Sequence, residues 1–219
     1  VKCFRDEDLR ADRQPEFTQI DMELSFITEE EIITLVEGMI KTVYATINDE
    51  TLSLPFPRIP YSEAMHRFGT DRPDTRFGLE LVDLTEILAQ CELKVFRTTI
   101  EKKGVVKAIN AKGCAHFSRK DLDDLTEYAA RFGAKGMAWI KIKDDEWQSP
   151  ITKFFAAEEI AAMGKALNAQ PGDLILFGAD TGKTVSQVLS ELRLELARRL
   201  NLLDGAKNNF IWGTDFPLL

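Results

Sequence analysis

The chain has 219 residues, and 28 lysines and arginines against 36 aspartates and glutamates leave a net charge of −8. With 44% hydrophobic and 29% charged residues it reads as a globular chain, long enough for one large domain or two small ones. No apolar run reaches the roughly 18 residues of a membrane helix, the opening VKCFRDEDLR holds no signal segment, and the acidic balance argues against a whole-surface nucleic-acid binder, though not against a local basic patch.

Lys2 to Leu9 suits a strand, Asp8 to Pro15 is a polar connection, and residues 17–26, FTQIDMELSF, alternate as a second strand. Thr18, Ile20, Met22, Leu24 and Phe26 fall on one face, with Phe17, Gln19, Asp21, Glu23 and Ser25 on the other. Together the two strands predict an antiparallel hairpin with a long charged loop. Thr28 and Glu31 match a capping box, followed by helical spacing at Ile32, Val36, Met39, Ile40, Val43 and Ile47. SLPFPRIP, residues 53–60, must be extended. A short helix over Ser62–Phe68 leads into the polar loop FGTDRPDTRFG.

From Phe77 the texture changes. The spacing predicts a helix near Asp83–Gln90 and strands at Lys94–Ile100 and Val105–Asn110. Ser118 caps a helix carrying Leu122, Leu125, Tyr128, Ala129 and Phe132 on one face, stopped by Gly133. A strand over 136–143, a helix over Ala157–Leu167 and a buried strand over Asp173–Phe177 follow. Val185, Val188, Leu189, Leu192, Leu196 and Leu200 form the stripe of a long last helix. The tail NNFIWGTDFPLL predicts one more strand. The whole is α+β.

Cys3, Cys91 and Cys114 are widely spaced and include no CxxC, so they read as reduced thiols, as in a cytosol. His66 and His116 lack a neighbouring nucleophile and orienting acid and read as satisfied or exposed. GADTGKT, residues 178–184, imitates a phosphate-binding loop but has three residues between its glycines where four are needed. Lys102, Lys103, Lys107 and Lys112 read as a solvated face, with a weak RNA-facing patch as the alternative.

The hairpin is the segment with chemistry. Arg5, Glu7 and Leu9 share a strand face, while Arg10, Arg13 and Gln14 crown the loop. An arginine fork grips phosphate or carboxylate at two points. A glutamate accepts from an amino group, and an aromatic held on a strand is a stacking platform. The same pattern also suits a solvated hairpin with surface ion pairs, and spacing alone favours that plainer reading.

FRDEDLRADRQPEFTQID resembles motif 2 of the class II aminoacyl-tRNA synthetases through Phe4, Arg5, Glu7, Arg13, Phe17 and Asp21, in the wording of the bacterial-type aspartyl enzymes. PYSEAMHRFGTDRPDTRFG resembles that family's next segment. AKGMAWIK, SPITKF and GDLILFGAD resemble its inserted GAD domain, and WGTDFPLL its return strand.

The resemblance implies part of an antiparallel class II catalytic domain over 1–76 and 205–219, with an α+β GAD insertion over 77–204. It implies activation of L-aspartate with ATP, then transfer to tRNA(Asp), by a cytoplasmic homodimer with neither membrane nor DNA as partner. Arg5 is then the catalytic cation, touching ATP and aspartate. Asp6, Glu7, Gln14 and Phe17 contact ATP, and Gln19 and Asp21 line the aspartate pocket. Glu7, Arg10 and Arg13 meet the tRNA acceptor end. Motifs 1 and 3, the anticodon-binding domain and the magnesium ligands are not in this sequence, so the resemblance implies a fragment without activity of its own and no metal site within it. A tRNA-binding module, like a domain in the B subunit of tRNA-dependent amidotransferases, is the alternative.

Overall fold

The computed structural model describes all residues except 10–12, 145, 204, 206, 207 and 219. The chain divides into two compact units, residues 1–56 and 57–219.

In the first unit, β1 (Lys2–Phe4) pairs antiparallel with β2 (Glu16–Thr18). Both strands are shorter than the alternation predicts. A half-apolar strand needs a neighbour, and the described hairpin has only two strands. Ile20, Met22, Leu24 and Phe26 accordingly leave the ladder and stand exposed. The helix α1 (Glu29–Ile47) starts at the predicted capping box, where the Thr28 N–H donates to Glu31 Oε2 at 2.7 Å. Its buried Glu37 accepts the Phe56 N–H at 2.9 Å and so holds the end of the unit to the helix.

In the second unit, β3 (Arg58–Pro60) pairs in parallel with β9 (Trp212–Thr214), a short strand within the predicted tail. Beside them lies α2 (Tyr61–Phe68), whose Ala64 and Phe68 pack with Ile59 and Ile211. The main element is an antiparallel sheet of β4 (Leu81–Asp83), β5 (Val105–Ala111), β8 (Leu174–Asp180), β6 (Ala138–Lys143) and β7 (Glu146–Gln148), in that spatial order. The central β8 is apolar on both faces, which is why it reads as a continuous run. Leu174 and Leu176 join the core under α4 (Arg119–Ala130) and α6 (Gly182–Arg199). Ile175 and Phe177 join the opposite core under α3 (Lys94–Glu101) and α5 (Ala157–Ala166).

Two predicted elements change type. Of the residues predicted as a helix over 83–90, Asp83 ends β4 and 85–90 form turns, and only Leu84 and Leu88 keep the buried spacing of a helix. Residues 94–100, predicted as a strand, form α3. Its run of Val95, Thr98, Thr99 and Ile100 has strand propensity, but packing decides: Phe96 buries while Lys94, Arg97 and Glu101 stay in water.

Asp173, just before β8, is buried and joins three segments. Its carboxylate accepts from Gly113 N and Asn110 Nδ2 at 2.9 Å each and from Gln170 N at 3.0 Å. Burial pushes this carboxyl up, but these bonds, with Lys112 nearby, carry it below its ordinary value. Its contribution is therefore present above the ordinary carboxyl range and lost as pH falls through the lowered value. Asp173→Asn is expected to cost about 2 kcal/mol in urea unfolding at neutral pH. Because the variant has no carboxyl to protonate, the gap to wild type should narrow in acid.

Candidate functional site

The strand register places the predicted residues. Cys3 faces Phe17 across the ladder, and pairing continues one residue further at each side, with Arg5 N to Pro15 O at 2.8 Å and Gln19 N to Val1 O at 2.7 Å. Period-two alternation then puts Cys3, Arg5, Phe17 and Gln19 on one face. Two contacts bear this out: the Arg5 Cζ lies 5.1 Å from the Phe17 ring centroid, and Cys3 Sγ lies 3.3 Å from Gln19 Oε1. The other face carries the Lys2–Glu16 ion pair. Nearer the loop, Arg13 Nη1 donates to Glu7 Oε2 at 3.0 Å, and both are partly open to solvent.

The hairpin thus brings together an arginine fork, an aromatic face and a carboxylate–arginine pair. Among the described residues no carboxylate pairs with Arg5, so its donors remain available for an anion. Asp6 and Gln14 are exposed beside it. Asp21 is exposed beyond the end of β2, so the ladder does not bring it to Arg5 and Phe17. Arg10 lies outside the described residues.

The other sequence signals resolve simply. His116 Nδ1 lies 2.8 Å from Gly113 O, and both histidines are exposed. Asp180, in the phosphate-loop look-alike, takes the Thr181 N–H at 2.7 Å and the Lys135 ammonium at 2.8 Å, so a carboxylate already sits where that loop would need an anion. Lys107 does not belong to a basic face. It is buried, donates to the His66 carbonyl at 3.1 Å, and is pushed by burial below its ordinary pKa.

Arg193 was not among the predicted residues. It is 1% exposed, on the stripe that holds Leu189 and Leu196. Its guanidinium donates to Asp74 O at 2.6 Å, Phe77 O at 2.9 Å and Gly78 O at 3.2 Å. It also stands over the rings of Phe68 and Phe77, at 4.8 and 4.2 Å. An arginine at i+4 from Leu189 on an apolar stripe was the signal for it.

The sequence profile of the class II tRNA synthetases (D, K and N) matches residues 1–219. The chain belongs to this family. Among the relatives of this class II synthetase chain, a protein of Desulfotalea psychrophila is 66% identical over 220 residues, covering 100% of this chain and 36% of that protein. Relatives from Geotalea uraniireducens and Heliobacterium modesticaldum are 56% and 55% identical over 219 residues, covering 100% of this chain and 37% and 36% of theirs. All three bear the name aspartate–tRNA(Asp/Asn) ligase. The class II synthetase chain thus spans just over a third of the length of these curated relatives.

Proposed function

We propose that these residues form part of an aspartate–tRNA ligase, which joins L-aspartate to ATP as aspartyl-adenylate and then transfers the aspartyl group to tRNA. The observation that carries this reading is the pairing of Arg5 with Phe17 on one face of the hairpin, 5.1 Å apart, in a chain of this family. Phe17 supplies the stacking surface for adenine. The Arg5 fork binds the α-phosphate together with the carboxylate of aspartate, which orients the two reactants. In the step itself, an aspartate carboxylate oxygen bonds to the α-phosphorus, the bridging oxygen leaves with pyrophosphate, and Arg5 stabilises the charge that develops between them. Asp6, Glu7 and Gln14 complete the ATP contacts. Gln19 and Asp21 serve the aspartate side, Asp21 receiving the ammonium. Glu7 with Arg13, and Arg10, serve the acceptor end of tRNA.

Among the described residues no group of three or more histidine, cysteine or acidic side chains is gathered to hold a metal. Magnesium, expected for ATP chemistry in the whole enzyme, is left unassigned, and no step here passes through it. No described helix is long and apolar enough to cross a membrane. Residues 77–204, with their sheet between two helical layers, make up the GAD insertion. Residues 1–76 and 205–219 belong to the catalytic body, and the parent protein is a cytoplasmic homodimer. The shared name of the three relatives supports charging of both tRNA(Asp) and tRNA(Asn).

The test is amino-acid-dependent ATP–pyrophosphate exchange by the full-length protein, with this 219-residue chain as control. Exchange is expected with aspartate alone, and none is expected from the control. Exchange with a different amino acid, or with none, would overturn the assignment. Charging of tRNA(Asn) transcripts with aspartate checks the dual specificity.

A further inference from the structure

A cavity of about 470 Å³ lies in the second unit, at the end of β8 beyond β6, lined from both sides of the sheet by residues of α3 and α6. Its lining includes Leu93, Val95, Phe96, Met137, Ile151 and Val188, so its body is apolar. At the mouth a shallower cleft shares Val95, Thr99, Lys135 and Asp180 and runs on past Lys94, Thr98 and Lys102. Lys94 and Thr98 lie at i and i+4 on one face of α3, and Lys102 follows at its C-cap, four positions further on. Among the described residues Lys94 and Lys102 form no ion pair, whereas Lys135 is held by Asp180. The mouth therefore carries excess positive charge beside an apolar interior.

The strand ladder adds a third feature. β6 pairs with β8 only as far as Ala138 opposite Phe177, so Gly178, Ala179 and Asp180 continue with no strand on that side. On the other side Ala179 faces Val106, whose N–H donates to Thr85 Oγ1 and whose carbonyl accepts from Leu84 N. Those groups point away from β8, so by the alternation of an antiparallel pair the Ala179 N–H and C=O also point away from β5, into the open side that lines the cavity. A half-buried amide edge of this kind favours a ligand that can both donate and accept.

We propose that this cavity binds small amphipathic acids of the N-acylated apolar amino acid or dipeptide class. The apolar side chain fills the interior, the amide bridges to the Ala179 backbone, and the carboxylate lies toward Lys94 and Lys102. A simple fatty acid satisfies the first and third features but leaves the strand edge unmet. A nucleotide brings its charge against an apolar wall. A cavity of this size accommodates a ligand of that class.

The experiment titrates the 15N-labelled chain with N-acetyl-L-phenylalanine. Saturable amide shifts are expected at Val95, Gly178, Ala179 and Asp180. Two controls remove one feature each: 3-phenylpropionate lacks the amide, and N-acetyl-L-phenylalaninamide lacks the carboxylate. Each should bind at least about tenfold more weakly. Val95 is 63% exposed at the mouth, so Val95→Trp should leave the remaining spectrum in place and remove the shifts. Joint replacement K94E and K102E should weaken the acid about tenfold and leave the phenylalaninamide unaffected. Absence of saturable shifts up to about 10 mM, shifts that persist in V95W, or equal binding of 3-phenylpropionate would each overturn the proposal.

Discussion

Arg5→Ala in the full-length protein is expected to lower aspartate-dependent exchange about 10³-fold, equivalent to about 4 kcal/mol of transition-state stabilisation. The guanidinium stands over Phe17 and has no carboxylate partner among the described residues. Its donors are therefore not consumed by the fold, and their removal costs little stability. Arg5 is exposed, so the variant should unfold within about 0.5 kcal/mol of wild type. Arg5→Lys keeps the charge but loses the two-point geometry, and should recover only a small part of the rate. Phe17→Ala should act differently. Loss of a stacking surface worth about 1–3 kcal/mol should raise the KM for ATP at least about fivefold, while kcat changes less. A ring and a fork that contributed equally to binding and to chemistry would give two variants with the same profile, and the nucleotide would then have to be placed elsewhere.

The hairpin was legible because two rules acted locally. Alternation put Phe17 and Gln19 on one face of the second strand, and the ladder, with Cys3 opposite Phe17, brings Arg5 to that same face. The capping box at Thr28 and the cap at Ser118 were legible for the same reason, since each rests on bonds between residues three apart. Misreadings arose where the deciding partner was distant in sequence. Val95, Thr98, Thr99 and Ile100 carry strand propensity, and only the packing of Phe96 against Phe155 and Phe177 makes their segment a helix. Residues 19–26 failed in the opposite sense: their apolar alternation is real, but the two-stranded hairpin offers no third strand to pair with it. Lys107 looked like a surface charge because its carbonyl partner, His66, is 41 positions away. The strand edge at Ala179 was likewise invisible, since it depends on where β6 stops rather than on any residue of β8.

Arg193→Met is expected to destabilise the second unit by about 3–5 kcal/mol in urea unfolding. Two effects oppose each other. Methionine removes a buried charge, which favours the variant, because burial of the guanidinium is costly enough to push its pKa down to about 10. At neutral pH the group is still charged, however, and it donates to three main-chain carbonyls, those of Asp74, Phe77 and Gly78. Methionine leaves all three without a donor and removes the cation held between Phe68 and Phe77. The bond to Phe77 O is buried and the other two are partly buried; an unmade bond to a buried carbonyl costs more than the average made bond contributes, so the loss should win. The same contacts tie residues 74–78 to α6, which gives the variant a second readout. Arg76 is otherwise held by Asp74 at 2.6 Å, and trypsin should cut after it faster once Arg193 no longer fixes that backbone. A Met variant as stable and as resistant as wild type would show that relief of the buried charge offsets all three bonds. Rapid cleavage at unchanged global stability would instead confine the role of Arg193 to holding the 74–78 segment in place.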